Sequence, residues 1–354
     1  MRLLDRLIIR SFLKIFLVAV LATPALFIIG EISERLDDYL DAGLTLIQIA
    51  TGLLYRVPEF IAWSFPIGGL IAAVFTIHGM TANREIVAAK AGGVSFHRLM
   101  LPILTMGVLI AGLGLYLAEF VPVANRQAAE ILAGDRPNFG REGRFDFAFR
   151  SEAGMDMSIQ RLSVSEGRLT GIIAVQEFDS SVVHVEAERA TYENGVWFLN
   201  AGNRREVFAG GGEHFSRFDR LEVSGFTETP DDLLGTASDP DEMTRPEIER
   251  QARIVARSGG AADELLVKLE QRYAIPAATL VIILFGAPLA TSNKRGGAAW
   301  GIGVALASTI LYMLLLRLSG GFGTAGLISP VWAAWTPNLL FFLSGSVLLA
   351  RVRT

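Results

Sequence analysis

Residues 60–80 read FIAWSFPIGGLIAAVFTIHGM and contain no Asp, Glu, Lys or Arg. Coiled into a helix rising about 1.5 Å per residue, that run is about 30 Å long, the thickness of a bilayer's hydrocarbon core. Glu59 closes it on one side and Arg84 on the other. Five more stretches have the same character. The first runs from Phe12 to Gly30 with Lys14 alone near its start, where a lysine can snorkel to the headgroups. The others run from Leu99 to Ala118, between Arg272 and Lys294, from Gly297 to Leu316, and from Pro330 to Ala350. A long polar insert divides them three and three.

The whole composition agrees. Of 354 residues 51% are apolar and only 19% charged, and mean hydropathy is +0.41. A soluble chain carries roughly a quarter charged residues. The net charge of -4 gives no reason to expect nucleic acid as a partner. Zero cysteines exclude disulfides, thiolate metal sites and Cys nucleophiles. The first apolar stretch is too long to read as a cleaved signal, and no small-residue cleavage site follows it.

Basic residues in the short connections set the orientation. Arg2, Arg6, Arg10 and Lys14 precede the first span; Arg84, Lys90 and Arg98 follow the second; Lys294 and Arg295 follow the fourth; Arg351 and Arg353 end the chain. Six crossings bring all of these to one side, so both termini are expected in the cytoplasm. The opposite connections hold Glu31, Glu34, Asp37, Asp38 and Asp41, or no charge at all.

From Arg144 the pattern switches to alternation, in RFDFAFR, MDMSIQRL, LTGIIAVQEF, VVHVEAERA and HFSRFDRLEV. Such period-two segments between turn signals SEG, ENG and AGGG predict the antiparallel strands of a small sandwich or jellyroll outside the membrane. Its apolar face is either a packed core or a greasy trough. A helix is predicted from Thr244, with Pro246 in its first turn, Glu247 at capping-box distance and Gly259-Gly260 as its stop.

Several chemistries lack their signatures. No GxxxxGK[ST] phosphate cradle, HExxH zinc motif or GxSxG elbow occurs, and His78, His97, His184 and His214 stand apart from one another. No catalytic residue, metal ligand or cofactor is therefore assigned. Pro24, and Pro66 with Gly68-Gly69, lie inside spans, where packing accounts for them. Arg317 ends the fifth span as a headgroup anchor or a contact to a lipid phosphate. The connection TANREIVAAKAGGVSFHR, residues 81–98, predicts a short helix with Thr81 or Asn83 as cap, a stop at Gly92-Gly93, and Ser95 capping the next span. It is either a solvated turn or a docking knob whose charges, Arg84, Glu85 and Lys90, a cleft could pair.

Those stretches, with RLIIRSFLKIF at the start, REIVAAKAGG after the second span, LEQRYAIPAATLVIILFGAPLATSNKRGGAAW in the fourth and PVWAAWTPNLLF in the sixth, resemble the LptF/LptG (YjgP/YjgQ) permease family of the lipopolysaccharide transport ABC exporter. The resemblance implies a bacterial inner-membrane protein of six transmembrane helices, 3+3, with an inserted all-β jellyroll-like periplasmic domain. Its segments would be residues 1–122 (spans 1–3, with a cytoplasmic coupling helix at 81–93), 123–243 (the β domain), 244–270 (a connecting helix) and 271–354 (spans 4–6). It implies as partners a cytoplasmic LptB-like ATPase dimer that hydrolyses ATP, a second LptF/LptG-type permease, LptC/LptA-like periplasmic jellyroll proteins and a glycolipid substrate. It also implies that Glu85, flanked by Arg84 and Lys90, docks the ATPase, and it favours the trough reading of the sheet. Arg35 and Arg317 are the lipid-contact candidates. Where some family members carry lysines at the outer end of the first span, this chain reads GEISERLDDYLDAG, with Arg35 the single base. The other reading kept open is a membrane-anchored scaffold for envelope assembly that transports nothing.

Overall fold

The structure is a computed structural model and describes residues 3–134, 143–223, 225–234, 239–290 and 297–352. In chain order the elements are helices α1 (Leu3–Asp41), α2 (Leu46–Ala82), α3 (Glu85–Ala91), α4 (Phe96–Ala118) and α5 (Val121–Leu132), then strands β1 (Gly143–Arg150), β2 (Asp156–Ser163), β3 (Arg168–Glu177), β4 (Ser181–Glu193), β5 (Val196–Phe208) and β6 (Glu213–Glu222), then helices α6 (Pro230–Leu234), α7 (Arg245–Arg257), α8 (Asp263–Leu289), α9 (Gly297–Thr324) and α10 (Pro330–Arg351). Contacts divide the chain into two compact units, Met1–Asp135 with Leu266–Thr354, and Arg136–Leu265. Lys294, Arg295, Arg2 and Arg353, used above for orientation, lie outside the described residues.

Among the described residues six helices are long and apolar enough to cross a membrane: α1, α2, α4, α8, α9 and α10. The first two run well past the apolar stretches that announced them. At 39 and 37 residues, each is over 50 Å long, against a hydrocarbon core of about 30 Å. Hydropathy sees only the part that lipid solvates; the helices end where local chemistry stops them. Gly43, at φ 78°, turns the chain, and the Leu44 N–H returns to the Tyr39 carbonyl at 3.1 Å. Thr45 then opens α2 with a reciprocal capping box to Gln48.

The helical unit shares one apolar core, including Ile8, Phe12 and Phe16 of α1, Leu70 and Ile77 of α2, Phe96 and Met100 of α4, Ile283 of α8, Tyr312 of α9 and Phe341 of α10. α8 stands at its centre because small residues let other helices reach it. A Cβ on Gly69 of α2 would come within 3.1 Å of Thr279 and Ile283, and one on Gly345 of α10 would meet the Phe285 backbone at 2.9 Å. A buried polar chain adds direction to this packing: the Tyr312 hydroxyl donates to Asn338 Oδ1 at 2.9 Å, and Asn338 Nδ2 donates to the Ala274 carbonyl at 2.8 Å. α8, α9 and α10 are tied by it.

In the second unit the strands form one six-stranded antiparallel sheet in sequential order. Alternation sends Phe147, Phe149, Met157, Ile159, Ile172, Ala174, Trp197 and Leu199 to one face, as the period-two pattern predicts, and a shift of phase at Gly171 (φ 64°) brings Leu169 to it as well. That face is filled by the chain itself. Phe226, Leu233 and Leu234, from the segment after β6, and Ile254 of α7 join the same apolar cluster. Trp197, fully buried, stacks on Phe226 at 5.4 Å and donates its indole N–H to the Glu228 carbonyl at 2.7 Å. The apolar side of the sheet is thus a packed core over this region rather than an open trough, because the segment 226–234 supplies side chains of its own to shield it from water.

Three segment boundaries differ from the sequence reading, the first because α2 runs on to Ala82 and leaves Glu85–Ala91 rather than 81–93 as the short helix. Residue 123 falls inside α5, whose Leu132 packs against Gly52 of α2, so this helix belongs to the helical unit. Segment 244–270 divides at Gly259 (φ 78°): α7, opened by the Thr244–Glu247 capping box, lies against the sheet through Ile254, and α8 already starts at Asp263.

Glu228, 2% exposed, accepts from the Glu152 N–H at 2.8 Å and from Arg257 Nη2 at 3.2 Å through Oε1, while Oε2 is buried without a hydrogen bond. Burial, the largest influence, pushes its pKa above the ordinary carboxylate value despite those donors. The folded state therefore holds this proton to higher pH than the unfolded chain does. The stability it contributes is full below the unfolded value and is lost as pH rises through the raised one. Melting the full-length protein in detergent across pH, followed by tryptophan fluorescence, should show Glu228→Gln gaining on the wild type as pH rises from about 4.5 and then levelling; a difference independent of pH contradicts the burial argument. For the bundle, Gly345→Ala should destabilise by about 1–3 kcal/mol, since the Phe285 backbone cannot step aside as a flexible side chain can. An unchanged melting temperature would refute the close contact.

Candidate functional site

The short helix α3 is built by its two ends. α2 stops at Ala82, and Arg84 takes the left-handed backbone conformation at φ 59°, turning the chain so that its carbonyl can accept from the Ala88 N–H at 3.0 Å. Gly93, at φ 79°, turns it back. Ser95 caps α4 by accepting from the Arg98 N–H at 3.3 Å, as the sequence predicts. One face of α3 is rooted: Ile86 is buried in the core shared by the spans. The opposite face, Val87 (63% exposed) with Ala88 and Ala91, is bare.

The predicted trio is distributed around this knob. Arg84 is exposed at the entry turn; Glu85 is half-buried and accepts from Asn83 Nδ2 at 3.5 Å; Lys90 is half-buried on the flank. Ile86, Val87, Ala88, Ala89 and Ala91 are all small or apolar, and only the fold decides that Ile86 points in and Val87 out. Behind the knob, Arg98 of α4 pairs with Asp5 of α1 at 2.8 Å, a tie across 93 positions that no local pattern announces.

At the other end of the same helices lies a charge cluster that sequence reasoning missed. Arg56 of α2, its side chain only 25% exposed, reaches Glu31 of α1 at 2.7 Å and Glu59 at 3.3 Å and lies 5.3 Å over the Phe60 ring. Tyr39 donates its hydroxyl to Glu31 at 2.9 Å. Arg35 pairs with Glu31 at 3.6 Å and is otherwise turned to the outside. Arg35 is therefore not the only base facing the acids of α1; the fold brings Arg56 in from α2. The available signal was Arg56 and Glu59, three apart beside an apolar span. Arg317 is exposed on α9, on the same side as Ile310, Leu314 and Leu318, and forms no ion pair among the described residues.

The family model described as lipopolysaccharide export system permease LptF/LptG matches residues 6–351. The chain belongs to the LptF/LptG family. No curated protein sequence matches it. An LptF/LptG permease is a component of a lipopolysaccharide exporter rather than an enzyme in its own right, and six apolar helices make this one a multi-pass inner-membrane protein.

The two arginines that pair with Glu31 in this LptF/LptG permease should behave differently. Arg56→Ala leaves Glu31 and Glu59 facing each other half-buried and should cost roughly 2–4 kcal/mol, whereas Arg35→Ala, at an exposed pair, should cost about 0–1 kcal/mol. Thermal unfolding of the full-length protein in detergent checks the order; equal effects would contradict it.

Proposed function

We propose that this permease lifts lipopolysaccharide or a closely related glycolipid out of the inner membrane while a separate ATPase dimer supplies the work, and that α3 is where the work enters. The observation that carries this reading is the rooting of α3: Ile86 sits in the core that α1, α2, α4 and α8 share, while Val87, Ala88 and Ala91 present a bare apolar face. A push on that face moves the spans together, because a packed core transmits displacement instead of absorbing it. Arg84, Glu85 and Lys90 give the contact its charge pattern.

In this reading the α3 end faces the cytoplasm with both termini, as the basic residues favour, and the sheet faces the periplasm. A second LptF/LptG-type permease completes the cavity, whose apolar walls hold acyl chains until closure of the ATPase shrinks it. The lipid then passes to the sheet and on to LptC- and LptA-like jellyroll proteins. Arg317, on the lipid-facing side of α9, and Arg35, exposed at the end of α1, are the cations offered to the glycolipid phosphates.

Co-purification with the ATPase tests the entry point. Glu85→Lys reverses a charge and Val87→Asp places one on the bare face; each should reduce recovered ATPase at least tenfold while the melting temperature of the permease stays within a few degrees. Undiminished association in both variants removes α3 from the coupling role.

A further inference from the structure

The first four turns of α1 carry charges that have so far served only to orient the chain. Arg6, Arg10 and Lys14 are exposed, and none has an ion pair among the described residues. At 100° per residue, Arg6, Arg10 and Lys14 fall within about 80° of arc, and Leu3, Leu7, Leu17, Val18 and Leu21 lie in or just beside it. All five are exposed, Leu3 at 86%. The buried side chains Ile8, Phe12, Phe16 and Val20 occupy the opposite face. The nearest acid, Asp5, lies on that opposite face and is consumed by Arg98 at 2.8 Å.

This cationic stripe is continuous with an apolar one. In the deeper turns the same side of α1 shows Leu17 and Leu21, with Val18 beside them, to the surroundings, which in a membrane means acyl chains. A face that meets hydrocarbon below and carries three unpaired cations above is matched by one kind of occupant, a molecule with tails below and negative charge above. The cations span eight residue steps, about 12 Å along the axis, so the deepest, Lys14, reaches the headgroups by snorkelling. Arginine forks and a snorkelling lysine both suit phosphate oxygens.

We propose that the start of α1 binds anionic phospholipid, in the leaflet on the α3 side, through Arg6, Arg10 and Lys14. The site lies at the end where α3 is rooted and holds α1 in register through the lipid as Asp5–Arg98 holds it through the protein. A cation close to an anionic lipid surface contributes about a fivefold factor, so three together approach a hundredfold.

Native mass spectrometry of the full-length, delipidated protein titrated with phosphatidylglycerol or phosphatidylcholine provides the test. The wild type should retain phosphatidylglycerol in preference to phosphatidylcholine, and Arg6→Gln with Arg10→Gln and Lys14→Gln together should lose at least tenfold of that retention. Arg10→Gln alone should lose about fivefold, which keeps the question open to measurement if the triple variant folds poorly, and Arg6→Lys with Arg10→Lys should restore most of it. Equal retention of the two lipids by the wild type, or wild-type retention by the neutralised variants, overturns the proposal. So does a change of oligomeric state on neutralisation with lipid binding untouched, since the stripe would then face protein.

Discussion

Everything in the helical unit depends on how closely other helices approach α8. Gly69 of α2 and Gly345 of α10 lie where a single added carbon would strike Thr279 and Ile283, or the backbone of Phe285. In a membrane apolar side chains gain nothing by leaving lipid for one another, so association rests on dispersion contacts that small residues permit and on a few buried hydrogen bonds. Tyr312, Asn338 and the Ala274 carbonyl supply such bonds. Spans from both sides of the insert meet at α8, and α9 also packs directly on α2, so the two halves share one core.

One short helix is fixed to that core. α3 is only seven residues long and would not hold as an isolated helix. It persists because Ile86 is seated in the core and because turns at Arg84 and Gly93 fix where it starts and stops. The features that make it stable also tie it to the spans, since its inner face is seated in their core. The ion pair of Asp5 with Arg98 extends the same logic to the start of α1.

The second unit solves a different problem. A single sheet has two faces, and water covers only one without cost. Here the other is closed by Phe226, Leu233, Leu234 and Ile254, with Trp197 as the point where sheet, loop and hydrogen bond meet. Glu228 is buried in this closure with one oxygen unpaired, so the unit carries a titratable weak point where the loop meets the strands. Any acyl chain received on this face would compete with side chains already there.

The six spans, the strand alternation, the capping boxes at Thr45 and Thr244 and the stop at Gly93 are local matters, each decided within a few residues by hydropathy, periodicity or backbone freedom. The sequence alone therefore determined the class of molecule, the order of its parts and the position of the knob. It left open whether Ile86 or Val87 points inward, that Arg56 neutralises Glu31, that Arg98 reaches Asp5, and that the loop after β6 fills the sheet. Those depend on which helix or loop lies beside which, and residues 25 to 93 positions apart carry no periodic signal of their meeting. Only close packing in three dimensions selects them, because only there does a buried charge or an open apolar face become costly enough to demand its partner.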